Sequence, residues 1–197
     1  MQDETSTSKV VQKELAVYGD NAARDVNKPS YVFPAPNVQS AAAFISQLVK
    51  KYKDEKNNNV EFRQTIEKLE HYSSPVSNEP ILTLEQKLKN GGREDLINFA
   101  LRTKEMFGKK LAKHSLSESA QEIHAFLLAE IVSRYHTSVY PHIYSGATIA
   151  AVNALIQTQI IEPLQEILGE NALGHYADEI NGMLYFLTGT CHIKWTK

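Results

Sequence analysis

From Asn37 onward the apolar residues recur at intervals of three and four, the spacing that gathers them on one stripe of an α-helix. Ala41, Ala42, Phe44, Ile45, Leu48, Val49 and Tyr52 make the first stripe, with Asn37 placed to cap it and Lys56-Asn57-Asn58-Asn59 to end it. Phe62, Ile66 and Leu69 predict a second helix over about Val60 to His71. The next run, SSPVSNEP, carries two prolines and three serines and reads as a linker. Beyond it the pattern predicts a short helix from Leu82 to Lys89, a break at Asn90-Gly91-Gly92, and a long helix from about Arg93 to Lys113. That long helix should turn Leu96, Phe99, Ala100, Phe107 and Leu111 inward.

Ser119 and Glu122 stand at capping-box spacing ahead of AQEIHAFLLAEIVSRYHTSVY, which is apolar around most of its circumference and belongs in the middle of a bundle. Pro141 and Gly146 then punctuate. The segment from Ala147 to Leu168 is a second broadly apolar helix, which Pro163 should kink and Gly169 should stop. A last helix is expected from about Ala177 to Thr188, ending at Gly189. Asn181-Gly182 would ordinarily announce a hairpin, but Ile180, Met183, Leu184 and Leu187 keep helical spacing through it, so the glycine predicts a helix against which something packs closely. The alternation of Cys191, Ile193 and Trp195 with His192, Lys194 and Thr196 predicts a short terminal strand whose first set faces inward.

Residues 1–36 differ. MQDETSTSK is polar and aperiodic, and the stretch after it mixes β-branched and aromatic residues with Gly-Asp, Asn and prolines, which favours extended pieces and turns. The expected organisation is an arm at 1–36, partly disordered or extended, a helical pair at 37–75 and a main helical domain at 76–197. The fold class is all-α, a bundle of about six to seven helices.

Composition sharpens this only in part. At 42% hydrophobic residues the chain suits a globular domain, no apolar run nears the roughly 20 residues that cross a bilayer, and the polar, acidic N-terminus is unlike a secretory signal. A cytoplasmic location is expected, with no membrane association. The net charge of -2 conceals a division: between Asn37 and Lys113 stand 14 Lys and Arg against 10 Asp and Glu, whereas from His114 to Ile193 Arg134 alone opposes eight acids. Nucleic-acid grooves need clustered cations, so direct nucleic-acid binding is not expected of the acidic half.

Candidate chemistry is sparse. Cys191 and His192 are adjacent, and neighbours diverge on a strand or a helix, so they cannot pair as nucleophile and base. One cysteine makes neither an internal disulfide nor a multi-thiolate zinc site. The other histidines, His71, His114, His124, His136, His142 and His175, form no HExxH or paired ExxH pattern and read as structural. Phosphate-binding loops and GxSxG elbows are missing. No catalytic, cofactor-binding or metal-ligating residue is assigned, and no cofactor is expected.

The runs LTLEQKLKNGGREDL, LSESAQEIHAFLLAEIVSRYHTSVYPHI and EINGMLYFLTGTCHIKW resemble the C-terminal helical modules of ABC-three-component systems, the prokaryotic conflict systems to which Lamassu-type anti-phage and anti-plasmid defence is related. The likeness spans about Leu82 to Trp195, and GDNAARDVN resembles the Gly-Asp elements that precede such modules. The resemblance implies a non-catalytic adaptor docking on an ABC or SMC-like ATPase and a middle component. It also implies candidate interface residues at Gly19, Asp20, Arg24, Asp25, Lys194 and Trp195. In that family an enzyme is usually fused ahead of the module; here a short arm precedes the helices, so either the toxic activity is on another subunit or the protein acts through association alone. The arm could also add a strand to a second copy and give a homo-oligomer. The alternative is a small helical RNase, although its Arg, four to six residues, His signature is not met by Arg134 with His136 or His142.

Overall fold

The computed structural model describes residues 38–76 and 82–197. The arm at 1–36, its Gly19, Asp20, Arg24 and Asp25, and its role in strand exchange lie outside the described residues. Seven continuous helices occur among the described residues: α1 Val38–Asn57, α2 Glu67–Ser73, α3 Leu84–Asn90, α4 at 94–113 with one 3₁₀ turn at its start, α5 at 118–144, α6 at 149–168 and α7 Ala177–Gly189. No strand is present among them, so the chain is an all-α bundle.

The central helix is α5, as its nearly continuous apolar surface requires: Ile123, Leu127, Leu128, Ile131, Tyr135 and Val139 are fully buried. Around it lie α1, α2 and α7, while α4 runs along α7 and α1 also packs on the second half of α6. Helix starts follow side-chain capping. Thr83 and Gln86 form a reciprocal box at α3, and Thr148 Oγ1 accepts from Ala151 N at α6. At α5 the cap is Ser117, whose Oγ accepts from Ala120 N, and not the expected Ser119. Ser119 is buried and donates to Glu55 of α1, which ties two helices together.

The second helix is shorter than its apolar spacing predicts, beginning at Glu67. Residues 61–66 stay out of the helix because their backbone is engaged elsewhere: Phe62 N donates to Leu116 O, and Ile66 N donates to the buried Gln121 side chain, whose amide donates back to Gln64 O and to Ser115 O. One glutamine therefore replaces the hydrogen bonds that a helix would have supplied.

Pro141 and Pro163 do not end their helices. A five-residue π turn precedes each, at Tyr135–Val139 and Gln157–Ile161, widening the backbone where the proline ring and its missing N–H would break an α-helix. Gln159 O, the carbonyl that Pro163 cannot serve, accepts from Arg134 Nη1. The two π turns touch each other, which puts both irregularities at one level of the bundle.

The terminal segment is a correction. Instead of a strand, the chain turns twice after α7, with Cys191 at φ 67°, and only Ile193 and Trp195 go into the core. Cys191 and His192 are both half-buried, so the expected inward and outward division fails at its first pair.

Gly108 lies mid-helix in α4, where an added Cβ would meet nothing within 4 Å. Gly108→Ala is expected to stabilise the fold by about 0.5–1 kcal/mol through backbone entropy, read as a higher urea midpoint at unchanged m-value.

Candidate functional site

Three clusters of polar chemistry are assembled by the bundle. The first surrounds Cys191. Lys87 Nζ donates to Thr188 O at 2.8 Å, Gly189 O at 3.0 Å and Cys191 Sγ at 2.9 Å, so a lysine from α3 satisfies the carbonyl end of α7. His192 turns elsewhere: its ring packs on His71 and Tyr72 with centroids at 5.1 and 5.3 Å, and its Nε2 meets His71 O. Thiol and imidazole are held by different partners and do not form a nucleophile and base pair.

The second cluster is buried between α4, α5 and α7. His124 and His175, both fully enclosed, face each other Nε2 to Nε2 at 3.0 Å, so one ring donates and the other accepts. Each Nδ1 is buried without a partner. Phe107 meets both rings, and His114, hydrogen-bonded to Tyr52, lies 6.1 Å from His124 centroid to centroid. Burial first, then the neighbouring imidazoles and Lys110, holds His124 well below the ordinary imidazole range, and burial with Lys110 pushes His175 down to about 3. Beside them Glu179 pairs with Lys110 at 2.8 Å. The two Nε2 atoms are taken up by their own hydrogen bond, and no group of three or more His, Cys, Asp or Glu side chains among the described residues could hold a metal ion.

The third cluster centres on Arg93, which sits at the turn between α3 and α4. Gly92 has φ 68°, which only glycine adopts without strain, and at Gly91 a Cβ would come within 2.6 Å of Trp195 Cβ. The two glycines thus let the turn close down on the terminal segment. Arg93 is 2% exposed; its guanidinium lies 4.4 Å over the Trp195 ring and Nη1 donates to Asn153 Oδ1 of α6 at 2.6 Å. Trp195 is in turn fixed by Nε1 donating to Thr188 Oγ1 and by the rings of Tyr135 and Tyr185. Desolvation lowers the Arg93 pKa and raises that of Tyr185. Two cavities, of about 270 and 170 Å³, flank the guanidinium, and Arg93 and Trp195 line both.

Of the interface residues expected from sequence, Lys194 and Trp195 are described. Trp195 is 4% exposed and belongs to the core, as the floor beneath Arg93. The Lys194 side chain is exposed, and its carbonyl accepts from the Tyr135 hydroxyl at 2.6 Å. Apolar spacing marks Arg93 as no more than the ordinary first residue of a helix. The usable signal was the pair of glycines before it, a turn tight enough to bury the side chain at its end.

Apolar groups are left on the surface near this cluster. Ile149, which lines the larger cavity, is 43% exposed and Tyr144 at the end of α5 is 64% exposed. Ala150, Ala151 and Ala154 continue an exposed face along α6.

Fold and site together define an all-α module whose few buried ionisable groups tie its helices together and whose surface carries apolar side chains beside an arginine-floored cavity. One protein family matches it, C-terminal domain 9 of the ABC-three component systems, over residues 83–195. The chain belongs to that family, and so is a component of such a system. The matched span opens at the Thr83 cap of α3 and closes on Trp195, leaving α1 and α2 outside it. No curated protein and no solved structure matches the chain. No helix among the described residues is long and apolar enough to cross a membrane.

Proposed function

We propose that this protein is a non-catalytic docking subunit of an ABC-three-component defence system, joining an ABC or SMC-like ATPase and a middle component to whichever chain carries the toxic activity. Family membership carries the reading, because a module shared among systems of several components has association as its common task. The exposed apolar rim at Ile149 and the alanine face of α6 support it, since contiguous apolar surface beside a buried aromatic and arginine pair is the anatomy of a protein interface. An anti-phage or anti-plasmid role and a cytoplasmic site of action belong to the same reading.

Affinity purification of the full chain from its native host is expected to bring down an ATPase and a third protein encoded beside it in fixed stoichiometry. Recovery of the chain alone, with a nuclease activity that His142→Ala or Cys191→Ala abolishes, would instead establish the hydrolase alternative.

A further inference from the structure

Two ordinarily charged side chains, Arg93 and Glu179, are buried among the described residues besides the neutral histidines, and they are treated differently. Glu179 has Lys110 at 2.8 Å. Arg134, which is only partly buried, has Glu130 at 2.9 Å. Arg93 has no carboxylate of the described residues within ion-pair distance, and its polar contacts are one hydrogen bond to the neutral Asn153 and the face of Trp195. A guanidinium carries five N–H donors. Removing such a group from water is costly, and an amide oxygen with one indole face offsets only part of that. Asp95 favours the charge only from beyond ion-pair distance, so a methionine filling the same space would cost the isolated fold less.

The missing group is an anion, and the cavity beside Arg93 has room for a side chain. At about 270 Å³ it lies below the usual range for a free small-molecule site. Its walls include Ile143, Ala147, Ile149 and Val152, with Lys197 adding a second positive charge. Asn90 and Thr196 complete the lining, and a partner surface seated on the apolar side would exclude water from an ion pair formed at the buried arginine, as at the centre of a protein interface. Building on the docking role, we propose that this cavity receives an aspartate or glutamate side chain of a partner subunit, which completes the ion pair that Arg93 lacks among the described residues.

The full chain is co-expressed with the ATPase and middle component of its own system, and affinity is measured for Arg93→Met and Arg93→Lys together with the thermal unfolding of each isolated chain. Arg93→Met is expected to unfold at a temperature no lower than the wild type, because the uncompensated charge is gone, while affinity falls at least about 30-fold, as for truncation of a desolvated charge pair. Arg93→Lys keeps the charge without the planar fork and should lose about tenfold in affinity at nearly unchanged stability. Neutralising the partner's acidic residue should then add little to the loss in Arg93→Lys, the signature of a shared contact. Binding by Arg93→Met within about threefold of wild type overturns the proposal and leaves docking intact. If Arg93→Met does not fold, Arg93→Lys decides, and unchanged affinity there overturns it. A wild-type chain that captures neither component overturns the docking reading itself, and this occupant with it.

Discussion

Gly182→Ala is expected to destabilise the fold by about 3 kcal/mol or more, the upper end of what overpacking costs. At this point α7 crosses α4 so closely that an added Cβ would lie 2.9 Å from Thr103 C, 3.0 Å from Phe107 Cβ and nearer still to the Thr103 carbonyl oxygen. Backbone atoms cannot swing away as a side-chain tip can, so the two helices must separate. That separation loosens Phe107, Met183 and Leu187, all at 0% exposure and all dependent on the crossing. Gly189 provides the control, because its Cβ would meet only the flexible end of Lys104, and Gly189→Ala should cost no more than about 1 kcal/mol. Urea unfolding of the two variants against wild type tests the contrast. If Gly182→Ala proves no worse than Gly189→Ala, the crossing is not rigid.

That glycine was legible in the chain because it interrupts nothing: the apolar spacing runs through Asn181-Gly182 unbroken, leaving close packing as the reason for a residue that weakens a helix. The same periodicity exposed the order of helices, their approximate ends and the central place of α5. What escaped were decisions made across long separations. Residues 61–66 carry a helical stripe, yet Gln121 holds their backbone out of the helix, and a polar contact spanning 55 residues leaves no local trace. The alternation after Gly189 looked like a strand because turns can also send Ile193 and Trp195 inward, and no neighbouring strand among the described residues pairs with it. Lone histidines at 124 and 175 gave no hint of facing each other, since each sits in ordinary surroundings on its own segment. The burial of Arg93 depends on Trp195, which comes from the far end of the matched span. Polar sites in this bundle are tertiary products, while its apolar frame is a local one.

Acidification is expected to unfold the protein steeply, with the His124 and His175 pair as a principal cause. Both groups have native pKa values depressed by burial, that of His175 to about 3, while in the unfolded chain each returns to about 6.5. Above about pH 6.5 neither state binds these protons and the pair contributes no slope. Below it the unfolded chain takes up protons that the native pair refuses, so stability falls as pH falls, by up to about 1.4 kcal/mol per pH unit for each imidazole, until the native groups titrate. The test compares urea-derived stabilities from pH 7.5 to 4 for wild type and a His124→Leu, His175→Leu double variant. At neutral pH the double variant should lie near wild type, because both partners of one hydrogen bond are replaced by apolar groups and two unpartnered Nδ1 atoms are removed with them. The single variant His124→Leu should be worse by about 1–3 kcal/mol, since it strands His175 Nε2 in the core. Below pH 6.5 the double variant should then become the more stable protein, its curve shallower by the slope of the two lost imidazoles. Parallel curves for the two proteins would mean that the pair is not kept neutral in the fold, and that carboxylates elsewhere govern acid unfolding.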